Sequence, residues 1–329
     1  MTSDFKKAAL IGGDLRMLYA ASAFTGLCSF RERSGKDARL AALWANTTAG
    51  ELPPGCFYAS DLHEALSGCD LVILPIPLSR DHERLNAPFH KEQITLISLA
   101  RAIRSAFPGD TPPPVFAGAV KESDAKVFAA EGIGLTDYSA DPLFALENAA
   151  YSAEGALAIA IENTAKALKD CRAAIFGYGK TGRRLCALLT AAGAKVMVFQ
   201  RKESDERDAR LAGAEACGYR DTPSVLPTVD LLFNTVPDPS IASHFPLLPR
   251  SSLVIELAGI GVKDDNLITA LSIPSKYSPE SAGRLICRTV SSMLPAPPAS
   301  PDPALSADRS SALSAGSSSP SFPKGGGTP

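Results

Sequence analysis

A chain of 329 residues, 45% hydrophobic and 21% charged, has room for two domains of ordinary size, each with its own core. Its formal net charge of −2, with both signs mixed along the sequence, offers no basic stripe for nucleic acid and no polybasic patch for lipid, which leaves small molecules or proteins as partners. No apolar run reaches the roughly 18 residues that span a bilayer, and the polar start from Met1 to Lys7 does not fit a signal peptide, so the expected location is the cytoplasm.

In chain order, short β-like runs alternate with helical stretches, the pattern of an α/β protein whose parallel sheets are covered by helices. Ala8-Ala9-Leu10-Ile11-Gly12-Gly13 is an apolar strand entering a glycine turn, and Asp70-Leu71-Val72-Ile73-Leu74-Pro75 is a later strand ending in proline. From Ala149 to Lys169, small and apolar residues recur at helical spacing (Ala153, Ala156, Leu157, Ala160, Ile161, Thr164, Leu168), predicting a long helix that lines an interdomain cleft. The plan then repeats: Ala173-Ala174-Ile175-Phe176-Gly177 enters a second glycine turn, and Asp230 to Pro237 is a second proline-ended strand.

The glycine-to-proline separations, 12 to 75 and 177 to 237, are nearly equal. The expected fold is therefore two Rossmann-like doubly wound parallel-sheet domains joined by a long helix, with a disordered C-terminal tail. A final helix from about Pro279 to Met293 packs back on the first domain. The tail, rich in Pro, Ser, Ala and Gly, lacks the apolar residues to offset its ordering entropy. The predicted divisions are 1–148 for an N-terminal substrate domain, 149–294 for the linking helix, cofactor domain and closing helix, and 295–329 for the tail.

Gly177-Tyr178-Gly179-Lys180-Thr181-Gly182 stands between a predicted strand and a predicted helix, the context that a dinucleotide fingerprint requires. Gly177 allows the tight turn, Gly179 lets the backbone approach a pyrophosphate at the helix N-terminus, and Gly182 lets helix and strand pack closely. The next strand, Lys195 to Phe199, ends in Gln200-Arg201-Lys202, where NAD-preferring sites place an acid. Arg201 and Lys202 suit a 2′-phosphate, so NADP is favoured, while Glu203 one step on keeps NAD open. Asn234-Thr235-Val236-Pro237, at the carboxyl end of the fourth strand, is expected to border the nicotinamide ribose.

Seven cysteines (Cys28, Cys56, Cys69, Cys171, Cys186, Cys217, Cys287) lack C-x-x-C spacing and read as small buried hydrophobes. His63, His82, His90 and His244 lack metal-ligand spacing, and no metal is expected. In the first domain, Ile11-Gly12-Gly13-Asp14-Leu15-Arg16 keeps the strand–glycine–helix form without a third glycine, so a smaller ligand is expected there. Helix N–H groups and Arg16 suit a carboxylate. The plain alternative makes Asp14 an N-cap and Arg16 an exposed helix residue.

The segment at 11–16, Asn148 with Ser152-Ala153-Glu154-Gly155-Ala156, the glycine motif at 177–182 and Ser281-Ala282-Gly283-Arg284 together resemble the A subunit of dipicolinate synthase, over about residues 6 to 293. The resemblance implies oxidation of dihydrodipicolinate to dipicolinate in the mother cell of a spore former, beside a flavoprotein B subunit that supplies FMN. Two stretches depart from the family pattern: Ala258-Gly259-Ile260-Gly261-Val262-Lys263 replaces a Pro-Gly-Gly-Thr-type loop, and Ile273 to Pro279 is trimmed.

On this reading Gly12, Gly13, Asp14, Arg16, Asn148 and Arg284 bind the dicarboxylate, and Arg16 and Glu154 are the catalytic candidates, Glu154 as base or substrate-orienting group. Two rivals stand beside it. A 2-hydroxyacid dehydrogenase needs a His–carboxylate pair near the end of the cofactor domain, and the last histidine is His244. A regulatory subunit would bind nicotinamide without turning it over.

Overall fold

The computed structural model describes residues 5–26, 40–46, 52–109 and 111–294. The tail 295–329 and Cys28 lie outside the described residues. In the first lobe β1 (Lys7–Ile11) leads into α1 (Leu15–Gly26), followed by β2 (Leu40–Trp44), β3 (Cys56–Tyr58) and α2 (Leu62–Leu66). Then come β4 (Leu71–Ile73), α3 (Leu96–Ala106), β5 (Val115–Ala117), α4 (Glu122–Ala130) and β6 (Leu135–Asp137). The six strands pair in the order β3-β2-β1-β4-β5-β6, all parallel.

Helix α5 (Pro142–Asn163) carries the chain to the second lobe, built of β7 (Arg172–Phe176), α6 (Lys180–Ala191), β8 (Lys195–Phe199), α7 (Glu203–Leu211) and β9 (Glu215–Cys217). It continues with α8 (Thr222–Val225), β10 (Leu231–Asn234), β11 (Leu253–Glu256), β12 (Leu267–Thr269), α9 (Ile273–Tyr277) and α10 (Pro279–Met293). Its sheet, β12-β11-β10-β7-β8-β9, is also parallel and repeats the first topology. Two doubly wound α/β lobes joined by a long helix are thus present, each with its ligand crevice expected where strand order reverses.

Both faces of the second sheet are covered, which is why its strands read as unbroken apolar runs. Ala173, Ile175, Val196 and Val198 face a core with Ile159 of α5 and Leu185 and Leu189 of α6. Their neighbours Ala174, Phe176, Met197 and Phe199 point to the other face, against Leu226, Ile241 and Phe245.

The lobes also share a device at the opening of their first strands. The Asp70 carboxylate accepts the amides of Lys6 and Lys7 at 2.7 and 2.8 Å, and the Asp70 amide donates to the Lys7 carbonyl. In the second lobe the Asp230 carboxylate accepts the Arg172 amide at 2.8 Å and the Lys166 ammonium at 2.6 Å, and its amide donates to the Arg172 carbonyl. Partial burial works against ionisation of Asp230, yet Lys166 and the Arg172 amide hold its carboxyl below the usual range.

The joining helix is displaced from its expected span of 149–169. Asp141 caps it by accepting the Phe144 amide at 2.8 Å, Pro142 occupies its first turn, and Thr164 ends it in extended backbone. Asn148 consequently lies inside the helix, not in front of it. Among the described residues no helix is long and apolar enough to cross a membrane.

Helix α10 returns to the first lobe and crosses α1 at Gly283, where a Cβ would stand 2.5 Å from the Arg16 carbonyl oxygen and 2.8 Å from the Ala20 nitrogen. Those neighbours are backbone and have little room to yield. Gly283→Ala should therefore lower the unfolding free energy by about 1–3 kcal/mol, the usual cost of overpacking, despite alanine's better helix propensity. Urea unfolding of both proteins measures this; an unchanged midpoint would contradict the close crossing.

Candidate functional site

Strand β7 ends at Gly177, whose φ of +92° belongs to the region that glycine adopts without strain. A Cβ on Gly182 would stand 2.2 Å from the Gly177 carbonyl oxygen, so only glycine lets α6 start this close to the strand. A Cβ on Gly179 would meet nothing within 4 Å. The turn is thus closed on its inner side and open on its outer side, where the first N–H groups of α6 lack intrahelical partners. Such a cradle fits a dinucleotide pyrophosphate.

Tyr178 is buried, with the Arg183 guanidinium 4.5 Å from its ring centre, and burial pushes its phenol up to about 12. Arg183 is anchored in turn by Asp205 and Asp208 at 2.6 and 2.7 Å. Lys180 and Gly179 line an open hollow of about 790 Å³ with Leu146, Glu147 and Ala150 of α5.

At the end of β8 the side chain of Gln200 is half-buried, and its Oε1 finds no partner among the described residues. Arg201 reaches Asp238 at 3.3 Å and lies 5.9 Å from the Tyr219 ring centre, while Lys202 is exposed just before α7. Thr235 Oγ1 donates to the Phe176 carbonyl at 2.8 Å, and Thr235 and Val236 close over Gly177. Pro237 follows directly.

Asn234 is fully buried and bound to a residue that no sequence motif marks, Glu256. The Glu256 carboxylate, also fully buried, accepts the amides of Ala258, Gly259 and Ile260 and the side-chain amide of Asn234. It is the clamp of the loop after β11, where the Pro-Gly-Gly-Thr-type sequence is missing. A lone acid in the apolar run Leu253-Val254-Ile255-Glu256-Leu257 is the one signal the sequence carries for it.

Across the cleft, the first glycine turn is occupied by its own lobe. Gly12 and Gly13 donate their amides to the carbonyls of Trp44 and Asn86 at 2.8 and 2.7 Å, so neither is free for a substrate carboxylate. Arg16 is buried, not exposed. Its Nε and one terminal nitrogen grip the two oxygens of Asp14 at 2.8 and 2.7 Å, and that nitrogen also donates to the Ile76 carbonyl. Asp14 accepts the Arg16 amide at 3.1 Å as a capping side chain, and the buried Arg16 borders the cleft.

The lobes meet around a cavity of about 200 Å³ lined by Arg16, Ile76 and Pro77 from the first lobe, Asn148 and Ser152 from α5, and Thr181, Leu257, Ala270, Ser272, Ile273 and Pro274 from the second. Arg16, Asn148 and Thr181 of the sequence-predicted residues come together here. Glu154 does not: it is exposed on α5, two residues and about 200° around the helix from Ser152. Arg284 is also apart, exposed and paired with Glu280 at 2.8 Å.

His244 is bound to Thr222 at 3.1 Å and packed 5.8 Å from the Phe176 ring, with no carboxylate partner among the described residues, so it lacks the pair that a 2-hydroxyacid dehydrogenase requires. His82 instead meets the buried Asp124 at 3.1 Å, in the first lobe. Five of the six described cysteines are buried, and no group of metal-ligating side chains forms among the described residues.

Comparison with known proteins points the same way. Residues 7–139 match the family model described as the N-terminal domain of the dipicolinate synthase A subunit, so the chain resembles that protein through its whole first sheet. No curated protein matches. Similar solved structures include the A subunit of dipicolinate synthase from Bacillus halodurans, 20% identical over 88% of this chain and 97% of that chain, with a TM-score of 0.71. The corresponding dipicolinate synthase chain from Bacillus subtilis is 18% identical over 89% of this chain and 96% of that one, with a TM-score of 0.68. A transhydrogenase from Sinorhizobium meliloti is 12% identical over 84% and 87%, with a TM-score of 0.58. At these identities the structures establish a shared fold.

The buried Asp14–Arg16 pair should matter for stability. Arg16→Met leaves Asp14 without its countercharge and should cost about 3–5 kcal/mol, much of it regained in the Asp14→Asn/Arg16→Met double variant. Equal stability of the Arg16→Met and wild-type chains in urea would refute the structural role.

Proposed function

We propose, from the premise that residues 7–139 match the N-terminal domain of the dipicolinate synthase A subunit, that this chain is a nicotinamide-dependent oxidoreductase subunit that oxidises dihydrodipicolinate to dipicolinate. The observation that carries the reading is the 200 Å³ cavity, which is walled on one side by Thr181 of the dinucleotide fingerprint and on the other by Arg16 and Asn148. It is smaller than the roughly 300–1,000 Å³ that drug-sized ligands occupy, and so suits a single-ring metabolite. The domain roles follow: 1–148 for substrate, 149–294 for cofactor, with α5 forming the floor between them.

Bound NADP supplies the acceptor for a hydride leaving the dihydropyridine ring. The ring also loses a proton, and the aromaticity gained drives the reaction. The chain's own task is orientation. The open turn at Gly179 and the first N–H groups of α6 hold the pyrophosphate, and Gln200, Arg201 and Lys202 hold the adenosine ribose and its 2′-phosphate. The exposed Arg201–Asp238 pair, 3.3 Å long, is weak enough for a phosphate to displace. Asn234, fixed by Glu256, presents the Thr235–Pro237 backbone to the nicotinamide side.

Asn148, Ser152 and Thr181 give the substrate neutral hydrogen-bonding partners in the cleft. None is a base of suitable strength, and Glu154 faces away, so the released proton passes to water in the cleft. A flavoprotein partner carrying FMN, acting in the cytoplasm of a sporulating mother cell, completes the assignment by resemblance.

Stopped-flow absorbance of reduced nicotinamide, with dihydrodipicolinate and NADP and with or without a flavoprotein partner, tests this. Turnover in either arrangement is expected; cofactor binding without turnover in both would make the chain a regulatory subunit. Cofactor choice has its own test. The Arg201→Glu/Lys202→Ala variant should lose NADP affinity about tenfold or more while retaining NAD, since charge-assisted contacts to a phosphate contribute about 1.5–3 kcal/mol. Unchanged preference by calorimetry would remove both residues from the site.

A further inference from the structure

Resting on the reading of the cleft as a dicarboxylate site, we infer that Arg80 is the residue that grips a substrate carboxylate, and that Ser272 is its parking place when the cleft is empty.

The cleft has a charge deficit. A dicarboxylate carries two negative charges, yet among the described residues the only cation lining the cavity is Arg16, and Asp14 already neutralises it through two bonds within 2.8 Å. The Nε edge of the Arg16 guanidinium is therefore spent on Asp14 inside the protein, and one terminal nitrogen is shared with the Ile76 carbonyl. The other polar lining groups, Asn148, Ser152, Thr181 and Ser272, are uncharged. Burying a dianion among them without a countercharge would be strongly unfavourable.

Arg80 stands beside this cavity with its charge unspent. It lies on the loop that follows Pro77, a lining residue, and its side chain crosses between lobes to donate from a terminal nitrogen to Ser272 Oγ at 2.7 Å. No carboxylate pairs with it among the described residues. Its Nε is held by Asn86 Oδ1 at 3.3 Å, and Asn86 is itself fixed, donating to the Pro77 carbonyl at 3.1 Å and accepting the Gly13 amide at 2.7 Å. The guanidinium is thus anchored at Nε, and of its two terminal nitrogens one is held only by the neutral Ser272 hydroxyl, so exchanging that hydroxyl for a carboxylate would let the terminal pair bind two oxygens end-on.

Ser272 is built as a weak holder. Its backbone is left-handed, with φ of +54°, an unusual state for serine, and it precedes α9 without capping it, which leaves the hydroxyl turned to Arg80. Helix α9 behind it is pressed onto α5, where a Cβ on Gly155 would stand 2.0 Å from Ile273 Cγ2. A neutral hydroxyl on a rigid wall positions the guanidinium but competes poorly with a carboxylate.

Calorimetry on the full chain saturated with NADP tests this, using pyridine-2,6-dicarboxylate and pyridine-2-carboxylate as probes. Arg80→Gln should weaken the dicarboxylate about tenfold or more. The monocarboxylate should lose less, NADP affinity should be unchanged, and Arg80→Lys should recover only part of the loss. Ser272→Ala, which frees Arg80, should bind the dicarboxylate as tightly as wild type or more tightly. Equal dicarboxylate affinity in wild type and Arg80→Gln would overturn the role of Arg80 while leaving the substrate reading intact. Failure of the wild-type chain to bind either probe while it binds NADP would overturn the substrate reading, and this inference with it.

Discussion

The close crossing of α10 over α1 at Gly283 constrains the rest of the molecule. The chain passes from the first lobe to the second along α5 and comes back through α9 and α10, so the lobes are tied twice. The return is possible only because backbone meets backbone at Gly283, beside the Arg16 carbonyl. That contact fixes the start of α1, and with it the side chain that borders the cleft. The cleft is lined by residues of both lobes, so its shape depends on that tie.

Electrostatics then divides the cleft walls. In the second lobe no side chain caps the helix start at Gly179, and the space beside it is open. In the first lobe the equivalent helix start is capped by Asp14, whose side chain accepts the Arg16 amide. On the proposed reading, the charge that recognises a dicarboxylate comes from outside the first glycine turn, from the loop carrying Arg80. The buried Glu256 follows the same logic in the loop after β11, where it supplies acceptors to amides that would otherwise be orphaned.

The architecture is legible in the sequence because it is written in local terms. β7 and β8 are apolar runs ending where a glycine turn or polar residues begin, and Gly177, Gly179 and Gly182 fall at the spacing a strand–turn–helix imposes. Apolar periodicity alone misplaces the joining helix; Asp141-Pro142, a cap followed by proline, marks its true start. The chemistry of Glu154 fits a base, but its helical phase puts it about half a turn from Ser152. Arg80 and Ser272 stand 192 residues apart, and no local pattern joins them. Nor does sequence reveal that the Arg16 fork is already filled, since that depends on a side-chain rotamer.

The two glycine turns stand at equivalent places in two sheets of the same strand order. Gly12-Gly13-Asp14-Leu15-Arg16-Met17 occupies the positions of Gly177-Tyr178-Gly179-Lys180-Thr181-Gly182, with an aspartate where the second turn leaves open space and a methionine where it needs glycine. Asp14 brings a tethered carboxylate onto the helix amide of Arg16, and Met17 packs against the turn, its Cγ 2.4 Å from where a Gly13 Cβ would be. The first lobe thus keeps the strand–turn–helix form with its helix start already occupied by a side chain of its own, which makes that turn a fixed wall of the cleft.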